Sequence, residues 1–115
     1  MPLTDETRGS VGAAELAAMK PTAHLVNVAR GAVVDEPALV EALRSGSIAG
    51  AALDVMATEP LPADNPLCAM DQVLLLPHVG SATVETRRAM ADLAVDNVLA
   101  VLAGREPAAR VLPAP

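Results

Sequence analysis

The chain has 115 residues, a formal net charge of −6, 52% hydrophobic letters and no Phe, Trp or Tyr, which bounds it to one small acidic domain. Eight Lys and Arg stand against fourteen Asp and Glu, and without a basic face or stacking rings a nucleic-acid partner is not expected. No apolar run reaches the roughly 20 residues of a membrane span, residues 1–12 lack a basic-then-apolar leader, and the lone Cys68 makes neither an internal disulfide nor a thiolate metal site. A cytoplasmic protein with no membrane or metal partner is the expectation.

In chain order, residues 11–20 place Val11, Ala14, Leu16 and Met19 on an Ala-rich stretch that stops at Pro21, predicting a first helix. Residues 25–29 are a short apolar run that reads as a strand and leads into Arg30-Gly31. Asp35 is a good N-cap, Pro37 fits a first helical turn, Leu39, Val40 and Leu43 keep helical spacing, and Gly46 ends the second helix. A second strand over 48–55 contains Asp54 near its end. The connection over 56–72 holds Pro60, Pro62 and Pro66, too long and Pro-rich for a simple link, so it is either functional or packed on a partner surface. A third strand over 73–76 runs into Pro77-His78-Val79-Gly80.

The longest helix is predicted over 83–103. Met90, Leu93, Ala94, Asn97, Val98, Val101 and Leu102 form one stripe, opposite Glu85, Arg88, Asp92 and Asp96, with Gly104 as the stop. Such a stripe requires a packing partner. Residues 105–115, with Pro107, Pro113 and Pro115, read as an extended tail.

The strand letters are nearly continuously apolar, as in strands covered on both faces. The order helix, strand, helix, strand, loop, strand, helix predicts three parallel strands joined by right-handed crossovers with flanking helices. The fold class is α/β: a partial Rossmann-like doubly wound parallel sheet.

In such sheets ligands bind beyond the carboxyl ends of the strands. Arg30, Asp54, Glu59 and His78 follow those ends, bringing one cation, two carboxylates and one imidazole to one edge. Arg30 can hold a carboxylate in two parallel charge-assisted bonds. His78 can exchange a proton with a hydroxyl or carbonyl oxygen, while a carboxylate such as Glu59 fixes its tautomer. Each has a plainer alternative: Arg30 as a solvated turn residue, Asp54 as an acceptor for loop amides, His78 as a turn histidine. His24 opens the first strand at the opposite edge and reads as structural, Arg87 and Arg88 as solvating charges, and the Met residues as core filling.

The motifs Pro2-Leu3-Thr4-Asp5-Glu6-Thr7, Val26-Asn27-Val28-Ala29-Arg30-Gly31-Ala32-Val33-Val34-Asp35-Glu36, Gly50-Ala51-Ala52-Leu53-Asp54-Val55, Glu59-Pro60 and Pro77-His78-Val79-Gly80-Ser81-Ala82-Thr83 closely resemble the D-isomer-specific 2-hydroxyacid dehydrogenases. The stretches around Glu59 and His78 look most like the glyoxylate/hydroxypyruvate and 2-ketogluconate reductase branch. The resemblance implies hydride transfer between NAD or NADP and a 2-keto or 2-hydroxy acid. Arg30 would hold the substrate carboxylate, His78 would be the acid/base and Glu59 its partner. On the cofactor side, Leu3, Thr4 and Thr7 would lie near ribose and phosphate, and Val28, Ala29 and Arg30 near the nicotinamide pocket. Asp54 would contact the carboxamide end, and His78, Gly80 and Ser81 would approach the nicotinamide side.

Members of that family are roughly three times longer and carry a G-x-G-x-x-G turn for the pyrophosphate. Neither feature occurs in these 115 residues. The expectation is therefore that residues 1–104 are the C-terminal part of a dinucleotide-binding domain, inactive alone, forming a homodimer or joining a missing half. The alternative is a non-catalytic remnant serving as a dimerising or interaction module.

Overall fold

The computed structural model describes residues 1–111 and divides into two compact units, the first ending in the chain at Gly80 and the second beginning at Ser81. In the first unit, strands β1 (His24–Asn27), β2 (Gly50–Leu53) and β3 (Val73–Leu75) pair in parallel in the order β1-β2-β3. His24 aligns with Gly50 and Ala51 with Val73, so the carboxyl ends of the three strands share one edge. This is the α/β arrangement the element order implies. The strands are shorter than their apolar runs; Ile48 and Val55 are buried just outside the β2 ladder and serve the core without pairing in the sheet.

Helices α1 (Ala13–Ala17) and α2 (Glu36–Arg44) supply the apolar cover. Leu16 of α1 and Leu39, Val40, Ala42 and Leu43 of α2 form the core with Ile48, Ala51, Leu53 and Leu67. Helix α1 is shorter than the 11–20 expectation because the backbone of Val11 is used elsewhere. Val11 forms an isolated parallel bridge with Val34, accepting from the Asp35 amide at 2.9 Å. Helix α2 starts as its sequence dictates, with Asp35 Oδ1 accepting from the Ala38 amide at 3.1 Å.

The expectation of strands covered on both faces is met on one. Val26, Ala52 and Leu74 are register partners on the other face, and Val26 is 65% and Leu74 57% exposed. The long connection after β2 is not merely a link. It forms a short 3-10 helix over Pro66–Ala69, capped by Asn65 Oδ1 on the Leu67 amide at 2.9 Å, and buries Leu67 to 1% exposure in the core.

The second unit holds α3 (Val84–Leu102), capped by the Thr83 hydroxyl accepting from the Thr86 amide at 3.1 Å. Its apolar residues are not confined to one stripe. Val95 and Leu99, which continue the Arg88 and Asp92 face, are exposed as Met90, Leu93 and Val98 are. After α3 the chain turns back: Ala109 donates to Asn97 Oδ1 at 3.1 Å, and Glu106 pairs with Arg110 at 2.7 Å. Residues 112–115 of the expected extended tail lie outside the described residues. No helix among the described residues is long and apolar enough to cross a membrane.

Candidate active site

The carboxyl end of β1 is organised by Asn27, a buried polar residue. Its Nδ2 donates to the Arg30 carbonyl at 3.0 Å and its Oδ1 accepts from the Ala29 amide at 3.1 Å. A buried amide is tolerated where its bonds are satisfied; here they shape the turn that presents Arg30. The Arg30 side chain is exposed, and its Nη1 donates to the Ala29 carbonyl at 2.7 Å. The turn continues into a 3-10 helix over Gly31–Val33.

Gly31 is required there by space. A Cβ built on it would stand 1.9 Å from the Met56 carbonyl carbon and oxygen, so the backbone beyond β2 crosses directly over the turn beyond β1. That crossing sets the start of the Met56 to Glu59 turn. Glu59 Oε1 accepts from the Met56 amide at 3.0 Å, closing the turn. Glu36, at the start of α2, holds the same segment from outside: its carboxylate accepts from Asn65 Nδ2 at 2.7 Å and from the Ala57 amide at 3.3 Å.

Glu59 Oε2 lies 2.8 Å from His78 Nδ1. The hydrogen bond from His78, reinforced by the Met56 amide, holds the Glu59 carboxyl below the usual carboxylate range. An ionised Glu59 only accepts, so His78 Nδ1 carries the shared proton and Nε2 is the nitrogen left for an external oxygen. Asp54, beyond β2, is 4% exposed, and its two oxygens accept from the Val79 and Gly80 amides at 2.7 Å each. His78 itself has φ 55, a left-handed conformation uncommon for a residue with a side chain.

A cavity of about 610 Å³ opens beside this pair, walled by Met56, Pro60, Leu61, Cys68, Leu75, Leu76 and Pro77. Its wall holds no cation, and Arg30 does not line it. Glu59 and His78 thus meet directly, while Arg30 shares the strand edge with them and, among the described residues, makes no hydrogen bond or ion pair with either. Thr4 and Thr7 bond to each other, with Thr4 N–H to Thr7 Oγ1 at 2.8 Å, and Thr7 Oγ1 donates to the Pro2 carbonyl at 2.8 Å. Leu3 and Val28 are exposed, Ala29 is half-buried, and Ser81 falls in the second unit.

The family described as D-isomer specific 2-hydroxyacid dehydrogenase, NAD binding domain, matches residues 1–80. The chain belongs to this family.

Among relatives of this dehydrogenase domain, glyoxylate/hydroxypyruvate reductase B of Pectobacterium carotovorum subsp. carotovorum (strain PC1) is 58% identical over 104 residues, 90% of this chain and 32% of that protein. Glyoxylate reductase of Thermofilum pendens is 54% identical over 111 residues, 96% of this chain and 33% of its own length. The crystal structure of an NADPH-dependent glyoxylate/hydroxypyruvate reductase from Sinorhizobium meliloti, in complex with NADP and malonate, superposes with a TM-score of 0.89 at 48% identity. It is covered to 34%, and this chain to 96%. The chain spans about a third of the length of the curated relatives it matches. The family match ends at Gly80, where the first compact unit also ends.

Sequence reasoning did not single out Asn27, Gly31 or Glu36 as site-forming residues of this dehydrogenase domain. Asn27 carried a usable signal, being a polar residue at the end of an apolar strand beside the predicted ligand edge. Gly31 and Glu36 carried none, because their partners Met56, Ala57 and Asn65 are 20 or more positions away.

Proposed function

We propose that this chain supplies the proton-transfer side and the nicotinamide-facing side of a D-2-hydroxyacid dehydrogenase acting on a small 2-keto acid of the glyoxylate or hydroxypyruvate kind. The observation that carries this reading is the 2.8 Å contact between His78 Nδ1 and Glu59 Oε2 at the carboxyl end of the sheet. In reduction, the carbonyl carbon gains a hydride and the carbonyl oxygen gains a proton. The hydride comes from the nicotinamide when that cofactor is bound. His78 donates the proton from Nε2, and Glu59 keeps Nδ1 protonated and stabilises the imidazolium before transfer. In oxidation the same nitrogen takes the proton back.

Arg30 holds the substrate carboxylate. Its present bond is to the carbonyl of its own neighbour, which an exposed guanidinium exchanges readily for a bidentate anion. That cation is needed, since a net charge of −6 repels an acid substrate. The residues present fit the nicotinamide end of NAD or NADP: Val28 and Ala29 offer an apolar wall, and each Asp54 oxygen retains a second lone pair for the carboxamide N–H₂. Gly80 and Ser81 approach the same end. Leu3, Thr4 and Thr7 face ribose and phosphate. Residues 1–104 act as the C-terminal part of the dinucleotide-binding domain in a cytoplasmic enzyme, as a homodimer or in association with the missing half.

A chimaera in which this chain replaces the matching third of the NADPH-dependent Sinorhizobium reductase tests the proposal. It should oxidise NADPH on addition of glyoxylate or hydroxypyruvate, and His78→Ala should lower kcat by roughly 10²–10⁴-fold. A chimaera that folds and binds NADPH but turns over neither acid would refute it.

A further inference from the structure

Asp54 is a buried ionisable residue, 4% exposed, and a carboxylate in such a place is costly unless its oxygens are satisfied. Both are satisfied from a single source. The Val79 and Gly80 amides each donate to one oxygen at 2.7 Å, shorter than the ordinary amide bond and charge-assisted. These two amides immediately follow His78, whose backbone stands at φ 55. A non-glycine residue held in a sparsely populated region persists only where the surroundings over-determine it.

Apolar packing does not supply that constraint, for Leu76, Pro77, His78 and Val79 are all exposed. Asp54 does supply it, because its own backbone is fixed to the sheet by its amide donating to the Asn27 carbonyl at 3.0 Å. A rigid strand end therefore grips the segment just beyond the imidazole, while Glu59 grips the imidazole itself at 2.8 Å.

We propose that Asp54 is a positioning residue: its two-amide clamp on Val79 and Gly80 imposes the left-handed turn at His78 that delivers Nδ1 to Glu59. This deepens the reading of His78 as the proton-transfer residue and rests on it, but the clamp is measurable without turnover. Amide exchange and imidazole proton signals of the 115-residue chain in NMR test it, with Asp54→Asn and Glu59→Gln as variants.

In the unsubstituted chain, the Val79 and Gly80 amides should exchange slowly although their residues are exposed. Asp54→Asn keeps one acceptor but sets an N–H₂ against the other amide. At 1.5–3 kcal/mol for a bond to a charged group, exchange of these two amides should quicken by about ten- to a hundredfold. The Nδ1-bound proton of His78 should then be lost from the spectrum, while the methyl signals of Leu39, Ile48 and Leu67 stay in place. Glu59→Gln should alter the His78 proton signal and leave both amides protected. A merely structural Asp54 would move the core methyl signals and spare the imidazole proton.

The proposal is overturned if the His78 proton signal survives in Asp54→Asn, or if Glu59→Gln releases the two amides. Should Asp54→Asn not fold, the unsubstituted chain decides: exchange of Val79 and Gly80 at the rate of an unprotected loop would overturn the clamp. A failed chimaera with an intact clamp signature would remove the catalytic reading and leave the positioning geometry standing.

Discussion

At the scale of single residues, the site depends on a close backbone approach at Gly31 that leaves no room for a side chain. Gly31→Ala would place a methyl group 1.9 Å from the Met56 carbonyl, and the obstacle is backbone that no rotamer change removes. The variant is expected to lose roughly 1–3 kcal/mol or more in urea denaturation. It should also displace the turn that presents Glu59, weakening the His78 proton signal. Glu59 makes a second prediction through pH. Its carboxyl is held low in the folded state by His78 and then by the Met56 amide, so its contribution to stability is present above the ordinary glutamate range. That contribution is lost as pH falls through the lower folded value. Unfolding curves taken below about pH 4.3 should therefore show stability declining with acid, and Glu59→Gln should flatten that part of the profile. An unchanged slope in the variant would mean that Glu59 is unpaired in solution. The pair is exposed enough for solvent and salt to weaken it, so added salt should reduce the slope as well.

At the scale of elements, the helix starts follow from local chemistry, whereas the connection after β2 follows from distant partners. Asp35 and Glu36 are neighbours with different tasks. Asp35 caps α2 through the Ala38 amide, and Asp35→Ala should cost about 0.5–2 kcal/mol, as cap removals do. Glu36 reaches Asn65 and Ala57, so Glu36→Ala should leave the helix intact and free the segment between Met56 and Asn65. Limited proteolysis separates the two: Glu36→Ala should be cut faster within residues 56–65, and Asp35→Ala should not. The 56–72 connection reads in sequence as a functional or partner-facing loop because three prolines punctuate it. Leu67 buried at its centre shows that it also closes the core, a fact that proline spacing does not encode.

At the scale of the whole molecule, the outer edge of β1 has no strand partner among the described residues, and Val26 and Leu74 present apolar surface on one sheet face. An uncovered edge beside apolar surface is a pairing site. The isolated chain is expected to self-associate, and light scattering showing a stable monomer would contradict this. These 115 residues contain no G-x-G-x-x-G turn, so they lack the usual anchor for the pyrophosphate. Alone, the chain should not reduce glyoxylate or hydroxypyruvate with NADH or NADPH. A measurable rate abolished by His78→Ala would show that the dinucleotide is held in some other way.

The amino-acid sequence by itself determined the α/β order, the parallel sheet, the N-cap of α2, the Gly104 stop after α3, and the residues that reach the carboxyl edge. Those properties are written in periodicities and capping pairs a few positions apart. The tertiary structure decided at which atoms the edge residues meet, beyond the Glu59 and His78 pairing that the resemblance implies. Glu59 and His78 touch across 19 positions and Asp54 grips the amides of residues 25 and 26 positions on, while the Arg30 guanidinium bonds to its neighbour's carbonyl. Such contacts join segments brought together by packing, and no local pattern records which distant partner a side chain will find.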